Sequence, residues 1–167
     1  RDLRGDDPVK LWRFDLVYGD LAGGADPVYH RPVRDWSSRW LDILAVRWVV
    51  AAPGEGPRMP DWRLAYEGGD ARVWERPAPL PLTRWEDGSL AVAEVSQPGR
   101  WTFDAGAPGR PRRLVVAETW DRGWRARIDG RPAHLEREHD LLLALDVPAG
   151  ARRVELVYRP RGLAGGL

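Results

Sequence analysis

Hydrophobic and polar residues alternate along most of the second half of the chain. In "WRARID", Trp124, Ala126 and Ile128 fall on one face of a strand, and the two arginines and the aspartate between them fall on the other. The segments "DLLLALDV" and "ARRVELVYRP" repeat this pattern. A period of two is typical of β-strands. One apolar and one polar face predict antiparallel sheets that pack on each other.

Turn residues separate seven strand-length segments in this half: "LAVAEVS", "RWTFDAG", "RRLVVAETW", "WRARID", "PAHLERE", "DLLLALDV" and "ARRVELVYRP". The pairs Asp129-Gly130 and Ala149-Gly150 supply the positive φ that tight turns require. We therefore predict a mainly β protein (α+β overall), with an antiparallel, jelly-roll-like β-sandwich over residues 86–160.

The first half has a mixed pattern. Residues 6–22 and 35–45 carry apolar residues at helical spacing, and Asp6 or Asp7 can cap the first of these helices. "VRWVVAA" reads as a strand, and "WRLAYE" with "ARVWER" reads as a hairpin. Three prolines in "PAPLPLTRW" place any strand there at a sheet edge. Residues 1–85 are thus predicted to form a helix-and-strand part that packs on the sandwich.

Composition excludes several functions. The 167 residues carry a net charge of +1, and arginines are mostly interleaved with acids, which argues against a nucleic-acid partner. There is no cysteine, so disulfides and thiolate catalysis are excluded. Ten tryptophans against two phenylalanines are unusual, and tryptophan suits both half-buried sheet faces and binding surfaces.

The turn "TWDRGW" is the candidate binding site. In one interpretation, Trp120 and Trp124 only close the end of the core, since large aromatic side chains are mostly buried. In the other, an exposed ring stacks on a sugar while Asp121 and Arg122 bind its hydroxyls. The pattern leaves both open, and the candidate ligand-binding residues are Trp120, Asp121, Arg122 and Trp124.

No catalytic or metal-binding residue is predicted, and no cofactor is expected. Glu136 and Glu138 follow His134 at a spacing typical of an exposed strand face. The three histidines lack the spacing of a zinc site. The arginine-rich "GRPRR" at 109–113 fits either a phosphate site or a solvated loop at a strand edge.

A string of motifs spans residues 114–160: Glu118, Trp120, Gly123-Trp124, Asp129-Gly130 with Pro132, Pro148-Ala149-Gly150, and Tyr158 with Pro160. This string resembles the C-terminal stretch of YfhO-like bacterial membrane proteins, although Arg122 stands where the family usually has proline. "LDILAVRWVVAA", "ARVWERPAPLPLTRW" and "LRGDDP" also resemble family segments.

The resemblance implies an extracytoplasmic domain of a multi-spanning protein of the glycosyltransferase C type, which uses lipid-phosphate-linked sugars. We expect this domain to perform no chemistry alone, to cap the membrane active site or position an acceptor glycan, and to lie at the cell membrane. Its expected partners are the membrane-embedded remainder of the same chain and a cell-envelope glycan or lipid-linked sugar. Residues 161–167 would begin a truncated membrane helix. A carbohydrate-binding β-sandwich module is the alternative, and a free-standing hydrolase is a third hypothesis.

Overall fold

The computed structural model describes residues 33–160. The helix predicted over residues 6–22 and the tail at 161–167 lie outside the described residues. The chain divides into two compact units that meet between Leu80 and Pro81.

The first unit contains a short helix and a three-stranded sheet, with the elements α1 (Trp40–Ile43), β1 (Trp48–Ala51), β2 (Arg63–Glu67) and β3 (Arg72–Glu75). The sheet order is β1-β3-β2, and both pairings are antiparallel. The predicted strand in "VRWVVAA" and the predicted hairpin are therefore confirmed.

The helix predicted over residues 35–45 is much shorter than expected. Asp35 accepts hydrogen bonds from the Ser37 amide at 3.0 Å and the Ser37 hydroxyl at 2.6 Å, which hold the start of the segment in a turn. Ala45, with φ +55°, leaves the helical conformation just after α1. Local side-chain bonding thus competes with the helix at its start, as short polar residues often do.

A buried carboxylate ties two strands and a loop of the first unit together. Glu75 on β3 accepts hydrogen bonds from Arg47, at 2.8 Å, and from Arg63 on β2. These two guanidinium groups hold the pKa of Glu75 below its ordinary value. Within this unit, Trp36 and Trp62 also meet edge to face, with ring centroids 5.1 Å apart.

The second unit is a β-sandwich of nine strands: β4 (Thr83–Trp85), β5 (Ala93–Gln97), β6 (Arg100–Asp104), β7 (Arg112–Thr119), β8 (Trp124–Ile128), β9 (Arg131–Ala133), β10 (Glu136–Glu138), β11 (Leu142–Val147) and β12 (Arg153–Tyr158). One sheet has the order β10-β11-β7-β4 and the other β5-β6-β12-β8-β9. All their pairings are antiparallel. The predicted mainly β fold is confirmed, and the chain alternates between the two sheets as in jelly-roll-like sandwiches.

The structural boundary between the units precedes the one predicted after residue 85, because β4 pairs with β7 inside the second unit. β4 lies at the edge of its sheet, as the prolines before it predict.

One hydrophobic core fills the space between the two sheets. Phe103 and Val154 from the five-stranded sheet, and Leu143 and Val147 from the four-stranded sheet, are completely buried in it. The predicted alternation is responsible, because these residues occupy the inward positions of their strands.

The prediction of a single strand in "PAHLERE" is wrong, because this segment contributes to two strands in different sheets. Ala133 ends β9 in the five-stranded sheet, and Glu136 begins β10 in the four-stranded sheet. The segment therefore crosses between the sheets at His134 and Leu135, and Leu135 packs against the core. The period of two continues through this crossing, so the pattern alone could not reveal it.

Apolar residues replace the predicted polar outer face along most of β7 and β11. Val115, Ala117, Leu142 and Ala144 occupy their outward positions, yet each is at most 5% exposed. The continuous apolar runs "LVVA" and "LLLAL" are the signal for strands that are buried on both faces. By contrast, Arg125 and Arg127 of β8 are exposed, as predicted.

Within residues 33–160, the structure contains no helix that is long and apolar enough to cross a membrane.

Candidate functional site

The site begins with the turn between β7 and β8, which the carboxylate of Asp121 organises. Its Oδ1 accepts a hydrogen bond from the Gly123 amide at 2.6 Å, and its carbonyl accepts one from the Trp124 amide at 3.1 Å. Asp121 also hydrogen-bonds the Tyr158 hydroxyl. Because of these bonds, the main role of Asp121 is to hold the conformation of the turn.

Gly123 is required here by close packing. A Cβ atom at this position would lie 2.6 Å from Cε2 of Tyr158 and 2.7 Å from the carbonyl oxygen of Arg159. The Arg159 amide in turn donates to the Gly123 carbonyl at 2.9 Å. The Gly-Trp pair therefore lets the turn lie against the end of β12, in addition to reversing the chain.

Trp124 belongs to the core. Its side chain is buried, its indole N–H donates to the Thr119 carbonyl at 3.1 Å, and its ring lies 5.3 Å from that of Tyr158. A buried indole with a satisfied N–H is what core closure requires. For this residue, the structure favours core closure over ligand stacking.

Trp120 occupies an intermediate environment. It is half-buried and packs against the core, and the guanidinium carbon of Arg137 on β10 lies 3.8 Å from its ring centroid. This cation–π contact covers the ring. A sugar can therefore stack on Trp120 only if Arg137 moves aside or binds the same sugar through its own N–H groups.

All four residues predicted from the sequence line one open cleft of about 350 Å³. Trp120, Asp121, Arg122 and Trp124 form one side. The crossing segment forms another side, with Pro132, His134 and Leu135. The sequence interpretation missed this second side, because it treated the segment as an uninterrupted strand. The cleft has the size of small-molecule sites and combines aromatic and polar groups.

Tyr158, the last residue of β12, interacts with Asp121 in the turn. Partial burial raises the pKa of its hydroxyl, and the neighbouring negative charge of Asp121 and the hydrogen bond between them raise it further. The phenol therefore stays protonated and donates to Asp121 at neutral pH, which stabilises the wall of the cleft.

An arginine holds Glu136 and Glu138, the two acids of the predicted exposed strand face. Arg113 hydrogen-bonds Glu136 at 2.8 Å, Glu138 at 3.1 Å and Asp146 at 2.8 Å. Although burial alone lowers the pKa of Arg113, these carboxylates raise it above its ordinary value. Paired carboxylates of this kind serve structure better than acid catalysis.

In the "GRPRR" segment, Arg112 also contacts neighbouring side chains. The guanidinium carbon of Arg112 lies 4.1 Å from the Trp85 ring centroid, and its Nη2 lies 3.6 Å from Asp87. Among residues 33–160, no group of three or more histidine, aspartate or glutamate side chains is placed to hold a metal ion.

No protein-family model, no curated protein and no solved structure matches the chain. The class that the structure itself defines is an antiparallel β-sandwich with an aromatic and polar cleft at the turn between β7 and β8.

Proposed function

We propose that this chain is a non-catalytic, extracytoplasmic β-sandwich domain of a YfhO-like, glycosyltransferase C-type membrane protein. We further propose that it binds carbohydrate in the cleft between the turn and the crossing segment, which we call the Trp120 cleft. In this role the domain caps the membrane active site or positions an acceptor glycan. The motif string that resembles the family supports the proposal, because its residues Trp120, Gly123 and Trp124 build the turn that borders the cleft.

The single observation that carries the proposal is the joint placement of four candidate residues in one open cleft. Sugars present apolar ring faces together with hydroxyl groups, so their binding sites combine aromatic side chains with hydrogen-bonding groups. In this cleft Trp120 provides the aromatic surface, and Arg122 and His134 are exposed polar groups beside it.

The geometry changes the expected roles of two residues. Trp124 supports the cleft from the core, and Asp121 holds the turn. Arg137, which covers Trp120, becomes a candidate contact that the sequence did not indicate. Guanidinium groups donate several N–H bonds in a fixed geometry, which suits pairs of neighbouring sugar hydroxyls.

A glycan-array screen of the purified chain, followed by calorimetric titration of each hit, tests the proposal. Trp120→Ala is expected to lower the affinity about 5- to 150-fold, since an aromatic anchor is worth on the order of 1–3 kcal/mol. Trp48→Ala is the matched control, because Trp48 is 47% exposed, also lies beside an arginine at 5.3 Å, and is not part of the cleft.

Two binding results would contradict the carbohydrate site. One is the absence of binding across a broad set of envelope glycans, and the other is equal loss of affinity in the Trp120 and Trp48 variants. Glycosyl transfer or hydrolysis by the isolated chain would contradict its non-catalytic role.

A free-standing carbohydrate-binding module is the second candidate, favoured by the same cleft. The two candidates differ in the membrane connection. Sequencing the complete reading frame distinguishes them, because a membrane-protein domain requires flanking segments of about 20 apolar residues.

A further inference from the structure

Two arginines flank one residue on the outer face of the five-stranded sheet. Val157 of β12 pairs with Arg100 of β6 on one side and with Arg125 of β8 on the other. Directly paired residues point to the same face of a sheet, and neighbouring strands lie about 5 Å apart. Arg100 and Arg125 are exposed, so this row presents two cations to solvent.

Two further arginines lie at the same end of the sandwich. The carbonyl of Arg122, in the turn before β8, accepts a hydrogen bond from Nη1 of Arg125 at 2.7 Å. The amide of Arg159, just after β12, donates to Gly123 in that turn at 2.9 Å. Both side chains are exposed. We refer to Arg100, Arg122, Arg125 and Arg159 as the Arg100 cluster.

The described part of the chain offers this cluster no carboxylate partner. None of its four guanidinium groups forms an ion pair within the described range 33–160. Two acids of the same turn and strand are engaged elsewhere, since Asp121 bonds Gly123 and Tyr158, and Glu155 bonds Arg153 at 3.0 Å. Unpaired cations at one end of a protein with net charge +1 create a local positive field.

One member of the cluster is fixed in position. Arg125 donates through Nη1 to the carbonyls of Arg122, at 2.7 Å, and Trp124, at 2.8 Å. Within residues 33–160 its Nε and Nη2 groups make no hydrogen bond, so an oxyanion can bind there. A guanidinium that is already ordered loses less entropy when it binds phosphate.

We infer that the Arg100 cluster binds the phosphate groups of an anionic phospholipid surface. Arg159 follows β12 directly, Arg100 and Arg125 lie on the two strands that pair with β12, and Arg122 lies in the adjoining turn. Clustered arginines are each attracted to such a surface.

This inference rests on the membrane placement in the proposed function, and it adds the face through which the domain meets the lipid. Arg122 and Arg125 also line the carbohydrate cleft, whereas Arg100 and Arg159 do not. Changing Arg100 and Arg159 should therefore weaken lipid binding and leave glycan binding intact, and failure of the glycan array leaves the lipid result unaffected.

Co-sedimentation with lipid vesicles at low ionic strength tests the inference. The purified chain is expected to bind vesicles of phosphatidylcholine with phosphatidylglycerol, and to bind much less to phosphatidylcholine alone. Arg100→Gln combined with Arg159→Gln is expected to weaken binding about 25-fold, since each arginine contributes roughly fivefold. Binding should also fall in 0.5 M salt, where charges are screened to about 4 Å.

The matched control is Arg110→Gln combined with Arg131→Gln, which removes the same charge from exposed positions outside the cluster. Circular dichroism verifies that each variant is folded, and the variant changed at Arg100 and Arg159 should bind glycan as the wild-type chain does, because both residues lie outside the cleft. Absence of binding to anionic vesicles, or equal weakening by the control, would overturn the inference. Retention on heparin without vesicle binding would assign the cluster to a soluble polyanion and overturn it as well.

Discussion

Two arginine-rich regions on the two sheets of the sandwich differ in how their charge is balanced. On the four-stranded sheet, Arg113 lies within 3.1 Å of three carboxylates. On the five-stranded sheet, the Arg100 cluster has no carboxylate partner among the described residues, as set out above. The same side chain thus stabilises the fold in one region and is available to a partner in the other.

The difference shows that local arginine density is a poor guide to a cationic surface. "GRPRR" is the densest run in the second half of the chain, yet Arg112 and Arg113 are engaged by acids. The members of the Arg100 cluster are scattered between residues 100 and 159 and are assembled only by strand pairing. Whether an arginine contributes to a cationic surface depends on whether a carboxylate lies close enough to pair with its guanidinium group.

The largest expected effect concerns the core that both regions share. Trp124→Ala should lower the free energy of unfolding by about 3–5 kcal/mol, because it removes a buried aromatic side chain and leaves a cavity. Urea unfolding measured by circular dichroism tests this. A loss below about 1 kcal/mol, typical of exposed sites, would show that Trp124 is not a core residue and would reopen the stacking interpretation.

Substitutions in the two arginine-rich regions should change the free energy of unfolding by a smaller amount. Arg113→Gln should destabilise the protein by about 1–2 kcal/mol, since three carboxylates lose their common partner and the site is partly exposed. Arg100→Gln combined with Arg159→Gln is the matched change in the other region and should alter stability by less than about 0.5 kcal/mol.

Urea unfolding of both variants in low and high salt measures this difference. Screening should reduce the effect of Arg113→Gln, because its ion pairs are partly open to solvent. Equal destabilisation by the two changes would remove the distinction between the regions.

The smallest effect is a pH dependence at Tyr158, which contacts the turn between β7 and β8. Folding raises the pKa of Tyr158 above 10.0, so its protonated form is favoured in the folded state. The stabilisation is therefore complete below pH 10 and is lost as pH rises through the folded pKa. Unfolding measured between pH 9 and 11 should show a steeper loss in the wild-type chain than in Tyr158→Phe. Identical slopes would mean that the contact with Asp121 does not couple to folding.

Much of the fold could be predicted from the sequence because it depends on local properties. The alternation in "WRARID" and "ARRVELVYRP" predicted β8 and β12, and the Asp129-Gly130 pair predicted a turn in which both residues have positive φ. Prolines before Thr83 predicted an edge strand. The turn "TWDRGW" was also recognisable as the candidate site, since its four named residues all line the cleft.

Tertiary structure decided the features that depend on distant residues. Strand periodicity cannot show that "PAHLERE" changes sheets, that Arg137 lies on Trp120, or that Arg113 gathers three acids. Sequence spacing determines which face of a strand a side chain occupies, whereas the pairing order of strands determines which side chains meet across it. For this protein, the sandwich is therefore encoded locally, and the surroundings of its tryptophans and arginines arise only when the strands assemble.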